Sequence, residues 1–138
     1  MKTIRVLIAD DDGAIIETYK NWLTMDRDYR FIVEWETEAD RIIEKVEWFK
    51  PDVVLLDNVF ADGASGIDQV LPSLKAICPE VAVIIVTGKR GPDTRQIRKS
   101  IAWQASDFLD KGPLTAGFLI ARIVEAYDRM RDATGADR

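Results

Sequence analysis

The chain has 138 residues, 47% apolar and 31% charged, with 24 acids, 19 bases and a formal net charge of −5. That is the length of one domain with material for a real core, and its acidic balance argues against direct nucleic-acid binding. A single cysteine, Cys78, and no histidine exclude disulfide scaffolds, zinc fingers, histidine metal sites and imidazole catalysis.

No apolar run reaches the ~18 residues that would span a bilayer. The N-terminus lacks the pattern of a signal peptide, so a cytoplasmic protein with no membrane partner is expected. The charge is uneven: residues 1–69 carry 16 acids and 8 bases, residues 70–138 carry 8 acids and 11 bases.

Ile4 to Ala9 reads as a strand that runs into Asp10-Asp11-Asp12-Gly13. Ile15, Tyr19, Trp22 and Leu23 then recur at helical spacing. Phe31 to Glu36 alternates apolar and polar, the mark of a partly covered edge strand. Thr37, with Asp40 three residues on, predicts a capped helix whose stripe is Ala39, Ile42, Ile43, Val46 and Phe49. Lys50-Pro51 ends it.

Val53 to Leu56 is apolar at every position and stops at Asp57. A strand without a polar face is covered on both sides, which points to a parallel sheet. Ile67, Val70, Leu71 and Leu74 predict a third helix, and Val81 to Val86 a second fully apolar strand ending at Thr87-Gly88. Pro92 suits the first turn of a fourth helix with Ile97 and Ile101 facing inward. Phe108-Leu109 is a short strand before Asp110-Lys111, and Thr115 caps a last helix with Ile120, Ile123, Val124 and Tyr127 on its apolar face. Residues 132–138 read as a frayed tail behind a domain of residues 1–131.

Five strands alternating with five helices make one doubly wound α/β domain. The most apolar strands belong inside, which the flavodoxin-like order 2-1-3-4-5 achieves. In such a sheet ligands sit at the carboxyl ends of the strands. There the sequence sets Asp10-Asp11-Asp12, Asp57, Thr87 and Lys111. Two carboxylates about 5 Å apart repel by roughly 3 kcal/mol at an effective dielectric of ~20. A hard divalent cation relieves this, and magnesium fits a site of few carboxylates plus water and phosphate oxygens. An aspartate can also act as nucleophile and become an aspartyl phosphate.

The segments VLIADDD, PDVVLLDN, VAVIIVTG and SDFLDK, in this order and on these strand ends, resemble the receiver domains of two-component response regulators. The resemblance spans about residues 3–131. It implies that Asp57 is the phosphoacceptor. It implies that Asp10 and Asp11 hold Mg2+ with Asp57, Asp11 directly and Asp10 mainly through water, the Val59 carbonyl completing the site. It implies that Thr87 is the switch hydroxyl, Lys111 the partner of the phosphoryl oxygens and Phe108 the aromatic switch residue. The family also favours a small residue after the threonine, here Gly88. With no histidine in the chain, a sensor histidine kinase or phosphotransfer protein is the implied donor. The protein itself then catalyses only its own phosphoryl transfer and dephosphorylation, as a switch rather than an enzyme.

Some positions depart from the family pattern. Ala61 stands where the family has proline, and Gly66 comes one residue later after the phosphoacceptor than usual, so the loop Phe60–Ser65 is longer by one. Lys111 is followed by Gly112 and not by proline, so a trans Lys111–Gly112 bond is expected. Val59 and Lys89 occupy positions that tune hydrolysis in the family, and Val59 has no group to orient a water, which implies a long-lived phosphoryl group.

Each residue also has a plainer reading: Asp10–Asp12 as a solvated turn capping helix 1, Asp57 as a helix-cap or turn residue, Thr87 as a strand-end threonine, Lys111 as a surface lysine, Phe108 as core. Trp22, Trp35, Trp48 and Trp103 read as packing residues, Trp48 and Trp103 partly exposed, and Cys78 as a small buried hydrophobe. The basic stretch Lys89, Arg90, Arg95, Arg98 and Lys99 is a solvated face or a partner surface. In the family the face of helix 4, strand 5 and helix 5 often forms a homodimer or binds targets. The alternatives are a degenerate receiver serving as a phosphorylation-independent interaction module, a haloacid-dehalogenase-like phosphatase, and a flavodoxin-like cofactor binder. The phosphatase would need an acid where Val59 stands. The flavin phosphate would be repelled by Asp10–Asp12.

Overall fold

The computed structural model describes residues 1–88 and 94–134. Lys89, Arg90, Pro92 and Asp93 of the predicted fourth-helix start, and residues 135–138 of the tail, lie outside the described residues.

Five parallel strands form one sheet in the order β2-β1-β3-β4-β5. They are β1 (Thr3–Ala9), β2 (Arg30–Glu36), β3 (Val53–Leu56), β4 (Ala82–Thr87) and β5 (Asp107–Asp110). The helices are α1 (Gly13–Thr24), α2 (Ile42–Phe49), α3 (Leu71–Ile77), α4 (Thr94–Ala102) and α5 (Ala116–Thr134). The flavodoxin-like order expected from the sequence is the order observed.

Strand alternation explains why the inner strands carry no polar face. Side chains two apart share a face. Ile4, Val6 and Ile8 of β1, Val53 and Leu55 of β3, and Ala82, Ile84 and Val86 of β4 pack with α1 and α5. Their neighbours Leu7, Ala9, Val54, Leu56, Val83 and Ile85 pack with α2 and α3 on the other side. Each fully buried Val, Leu or Ile stabilises the fold by about 1.5–3 kcal/mol, so a polar side chain within these runs would be costly.

Local details depart from the sequence reading in several places. Thr37 is not a helix cap. The Glu36 carboxylate accepts from the N–H groups of Thr37 and Glu38, and a 3-10 turn over Ala39–Arg41 leads into α2. Lys50 takes a left-handed conformation, φ 53°, and closes α2 before Pro51. A π turn over Gly66–Val70 precedes α3. Such a turn absorbs one extra residue, where the sequence has its longer loop.

Ile101 faces outward, 66% exposed, and Ser100 is the buried residue of α4, its hydroxyl bonded to the Ile97 carbonyl. Cys78 is half-buried rather than enclosed, with its thiol 3.4 Å from Glu80 Oε1. Trp48 and Trp103 are exposed, as is Trp35, whose ring lies under Lys20 Nζ at 4.5 Å. The last helix begins after Thr115, whose hydroxyl accepts from Phe118 N–H, and runs to Thr134, three residues into the expected tail.

Tyr19 adds an unforeseen feature. Its ring is buried against β1 and α5, and its hydroxyl has no hydrogen-bond partner among the described residues. Burial, then the charges of Asp10, Asp57 and Asp12, hold that phenol above its ordinary range. A neutral buried hydroxyl without a partner destabilises. Tyr19→Phe is therefore expected to stabilise the protein by about 1 kcal/mol, read by urea denaturation. An unchanged or lower midpoint would show that the hydroxyl is satisfied.

Candidate functional site

Three strand ends deliver the site. Asp10 follows β1 and keeps the side of Ile4, Val6 and Ile8. Asp57 follows β3 on the side of Val53 and Leu55. Lys111 follows β5 on the side of Leu109. Strand alternation thus aims all three at the same side of the sheet. Asp10 and Asp57 are only 3% and 6% exposed, so neither charge is well hydrated.

The carboxylate oxygens of Asp10, Asp11 and Asp57 lie within 4.8 Å of one another. Lys111 Nζ sits 2.6 Å from Asp10 Oδ2 and 3.4 Å from Asp57 Oδ2. Asp10 Oδ1 also accepts from Asp12 N–H at 2.9 Å. Asp12 has another role: its carboxylate caps α1, accepting from Ala14 and Ile15 N–H. The capping reading holds for that one member of the triplet.

Asp57 Oδ1 accepts from Asn58 N–H at 2.8 Å, with Val59 N–H at 3.5 Å. Burial pushes the Asp57 carboxyl up to about 6, and the Asp10 charge adds to it. Lys111 and the two N–H groups pull the other way without prevailing. Burial also works against the Lys111 ammonium, but Asp10 and Asp57 outweigh it and hold the group above its usual range. One ammonium therefore serves two carboxylates, and the site keeps a surplus of negative charge. Three carboxylates with oxygen-only donors fit a hard divalent cation such as Mg2+.

Thr87 ends β4, buried, on the side of Val83 and Ile85. Phe108 pairs in register with Ile85 and packs, half-buried, on that same face. The two expected switch residues thus share one face of the sheet, opposite Asp10, Asp57 and Lys111. Lys111 N–H donates to the Thr87 carbonyl at 2.9 Å, tying the two strand ends. Gly88 leaves room for the lysine stem, since a Cβ there would lie 3.1 Å from Lys111 Cδ. The Lys111–Gly112 bond is trans.

Residues 6–124 match the response regulator receiver domain family. The chain belongs to that family. Solved structures agree with the receiver assignment. A CheY-like receiver domain protein from Methanospirillum hungatei JF-1 aligns over 96% of this chain and 99% of its own, at 26% identity and TM-score 0.83. A receiver domain protein from Clostridium thermocellum covers 93% and 97%, at 27% identity and TM-score 0.77. NtrX from Brucella abortus, at 22% identity and TM-score 0.82, shares the fold over 99% of this chain but only 30% of its own length. No curated protein matches by sequence.

The receiver domain holds two site features that its sequence did not announce. Gly66 packs against the backbone of Asp57 itself: a Cβ there would lie 2.0 Å from the Asp57 carbonyl oxygen. Asn58, buried beside Asp57, binds the far end of the longer loop. A second polar residue, after Asp57, at the end of an apolar strand was the available signal.

Proposed function

We propose that this receiver domain is a phosphorylation switch, with Asp57 as its acceptor and a phosphohistidine of a sensor kinase or phosphotransfer protein as donor. The convergence of Asp10, Asp11, Asp57 and Lys111 on three strand ends carries the reading. An Asp57 oxygen attacks phosphorus, the P–N bond to the donor imidazole breaks, and an acyl phosphate forms. Asp10, Asp11 and Asp57, with the Val59 carbonyl, would hold Mg2+, which supplies charge neutralisation at the phosphoryl oxygens. Lys111 gives up part of its pairing with Asp10 and Asp57 to bind those oxygens.

Thr87 then follows the phosphoryl group, and Phe108 repacks on the shared face, which biases the surface of α4, β5 and α5. The longer loop is the best support for a degenerate module, yet it closes with the acidic cluster assembled. Among the described residues no helix is long and apolar enough to cross a membrane, which accords with a cytoplasmic switch.

Beryllofluoride with Mg2+ tests the reading without turnover. Wild type binds it and changes its elution volume or tryptophan emission, and Asp57→Asn does not. Equal behaviour of the two proteins would refute the phosphoacceptor role.

Two further outcomes are expected. Val59 offers no side-chain group to orient water and its side chain is exposed, so the phosphoryl half-life in Mg2+ buffer is minutes or more; seconds would contradict this. On α4, Lys99 pairs with Asp68 at 3.1 Å, and on α5 Arg122 pairs with Asp107. Arg95 and Arg98 are the other described members of the basic stretch. Charge reversal at both weakens phosphorylation-dependent dimerisation or partner binding by about tenfold. Unchanged binding would leave this face a solvated one.

A further inference from the structure

We infer that Asn58 is the positioning residue of the metal-binding loop, its carboxamide doing what a proline and a shorter loop do elsewhere. The inference rests on the phosphorylation reading above. The loop after Asp57 has to hold the Val59 carbonyl and the two N–H groups that Asp57 accepts in one arrangement. Ala61 restrains the chain less than proline would, and the extra residue adds conformations to be lost on ordering.

Asn58 is 2% exposed, and strand alternation sets it on the side of the sheet opposite Asp57. Its Oδ1 accepts from Ser65 Oγ and from Ile67 N–H, each at 3.0 Å. Its main-chain carbonyl accepts from Gly66 N–H at 2.9 Å. One residue therefore binds three successive positions at the far end of the loop. It also presents its own N–H to Asp57 at 2.8 Å.

Ser65 extends the tie. Its hydroxyl accepts from Asp68 N–H at 3.1 Å, and its N–H donates to Gln69 Oε1 at 2.6 Å. An isolated bridge pairs Val59 with Ser65. Val59 is thus held from both ends of the loop, by its bond to residue 58 and by its pairing with residue 65. An apolar residue of similar size at 58 would leave Ser65 and Ile67 without their acceptor. The loop would keep its composition and lose its arrangement.

The test compares Asn58→Leu, Ser65→Ala and Ser65→Thr with wild type. Mg2+ affinity is read by calorimetry, amide exchange in EDTA by NMR, and phosphorylation rate with acetyl phosphate. Asn58→Leu is expected to weaken Mg2+ by about tenfold or more, the usual scale for a group that orients metal ligands. Ile67 N–H exchange accelerates in the metal-free protein, where no ligand enters. The rate at saturating Mg2+ stays within about threefold of wild type, since the reacting groups remain. Ser65→Ala shifts Mg2+ affinity in the same direction by about threefold, and Ser65→Thr, which keeps the hydroxyl, restores it. If Asn58→Leu does not fold, the serine pair decides alone.

Mg2+ affinity within about twofold of wild type in the folded variants, with wild type phosphorylated normally, overturns this inference alone. A wild-type protein that accepts no phosphoryl group overturns the phosphorylation reading and this inference together.

Discussion

Replacing Gly66 with alanine is expected to destabilise the protein by about 3 kcal/mol or more and to weaken Mg2+ binding with it. The added Cβ would lie 2.0 Å from the Asp57 carbonyl oxygen and 3.1 Å from Leu56 Cγ. The nearest of these atoms is backbone, so no rotamer change relieves the clash. The chain has to move at residue 57 or at the π turn over Gly66–Val70, and either shift disturbs the groups around the Asp57 carboxylate. Gly13 is the control. A Cβ there meets nothing within 4 Å, so Gly13→Ala is expected to change stability by less than about 0.5 kcal/mol. Urea denaturation and Mg2+ titration of both variants check the pair. Equal midpoints for the two would contradict the close approach at Gly66.

The second large effect concerns the surplus charge around Asp57. Its carboxyl titrates at about 6 in the folded protein against 3.8 ordinarily, because burial and Asp10 disfavour the ionised form. Between those values the folded state binds more protons than the unfolded state. The sign is therefore negative: metal-free stability is greatest below about pH 4 for this group and is lost as pH rises through 6. At about 1.4 kcal/mol per pKa unit the loss is on the order of 3 kcal/mol. Asp57→Asn removes the charge and keeps Lys111 on Asp10, whose contact is 2.6 Å. In EDTA at pH 7.5 the variant is expected to be more stable than wild type by about that amount, and at pH 4 nearly equal to it. Saturating Mg2+ stabilises wild type and reverses the order, since a ligand of the folded state adds RT ln(1 + [L]/Kd). A variant less stable than wild type in EDTA at pH 7.5 would contradict the electrostatic account.

The site was legible in the sequence wherever strand alternation did the work. Apolar runs ending in Asp10 and Asp57 place those groups at one rim, because a strand buried on both faces can only become polar where it leaves the sheet; the short edge strand β5 brings Lys111 to the same rim. The same burial argument, helped by the family resemblance, gave the strand order. Helix faces were less legible. Ile101 fits the spacing of an inward residue, but α4 turns Ser100 inward, where its hydroxyl bonds the helix's own carbonyl. Hydrophobicity alone does not separate such neighbours on a short helix.

Thr37 failed as a cap because the turn starts one residue later, after Glu38, while the Glu36 carboxylate takes the N–H groups of Thr37 and Glu38. The longer loop was visible as a count of residues, but its solution was not. A π turn, the absence of a Cβ at Gly66 and the Asn58 carboxamide act together in space, and each is an ordinary residue in the sequence. Tyr19 read as helix core, which its ring is. Its unpartnered hydroxyl depends on what surrounds the ring tip, and no spacing rule encodes that.

The uneven charge of the chain also acquires a meaning. Asp10, Asp11 and Asp57 belong to the acidic half, and Lys111 and the α4 bases to the other. Three of the acids gather at the end where a metal is proposed to bind, with Lys111 among them, and the α4 bases lie beside the face that the switch is proposed to alter.

Intact mass after incubation with acetyl phosphate and Mg2+ tests the central claim most directly. The account predicts a gain of one phosphoryl group in wild type, labile as an acyl phosphate, absent in Asp57→Asn and absent when EDTA replaces Mg2+. No gain in wild type, or the same gain in Asp57→Asn, would contradict it.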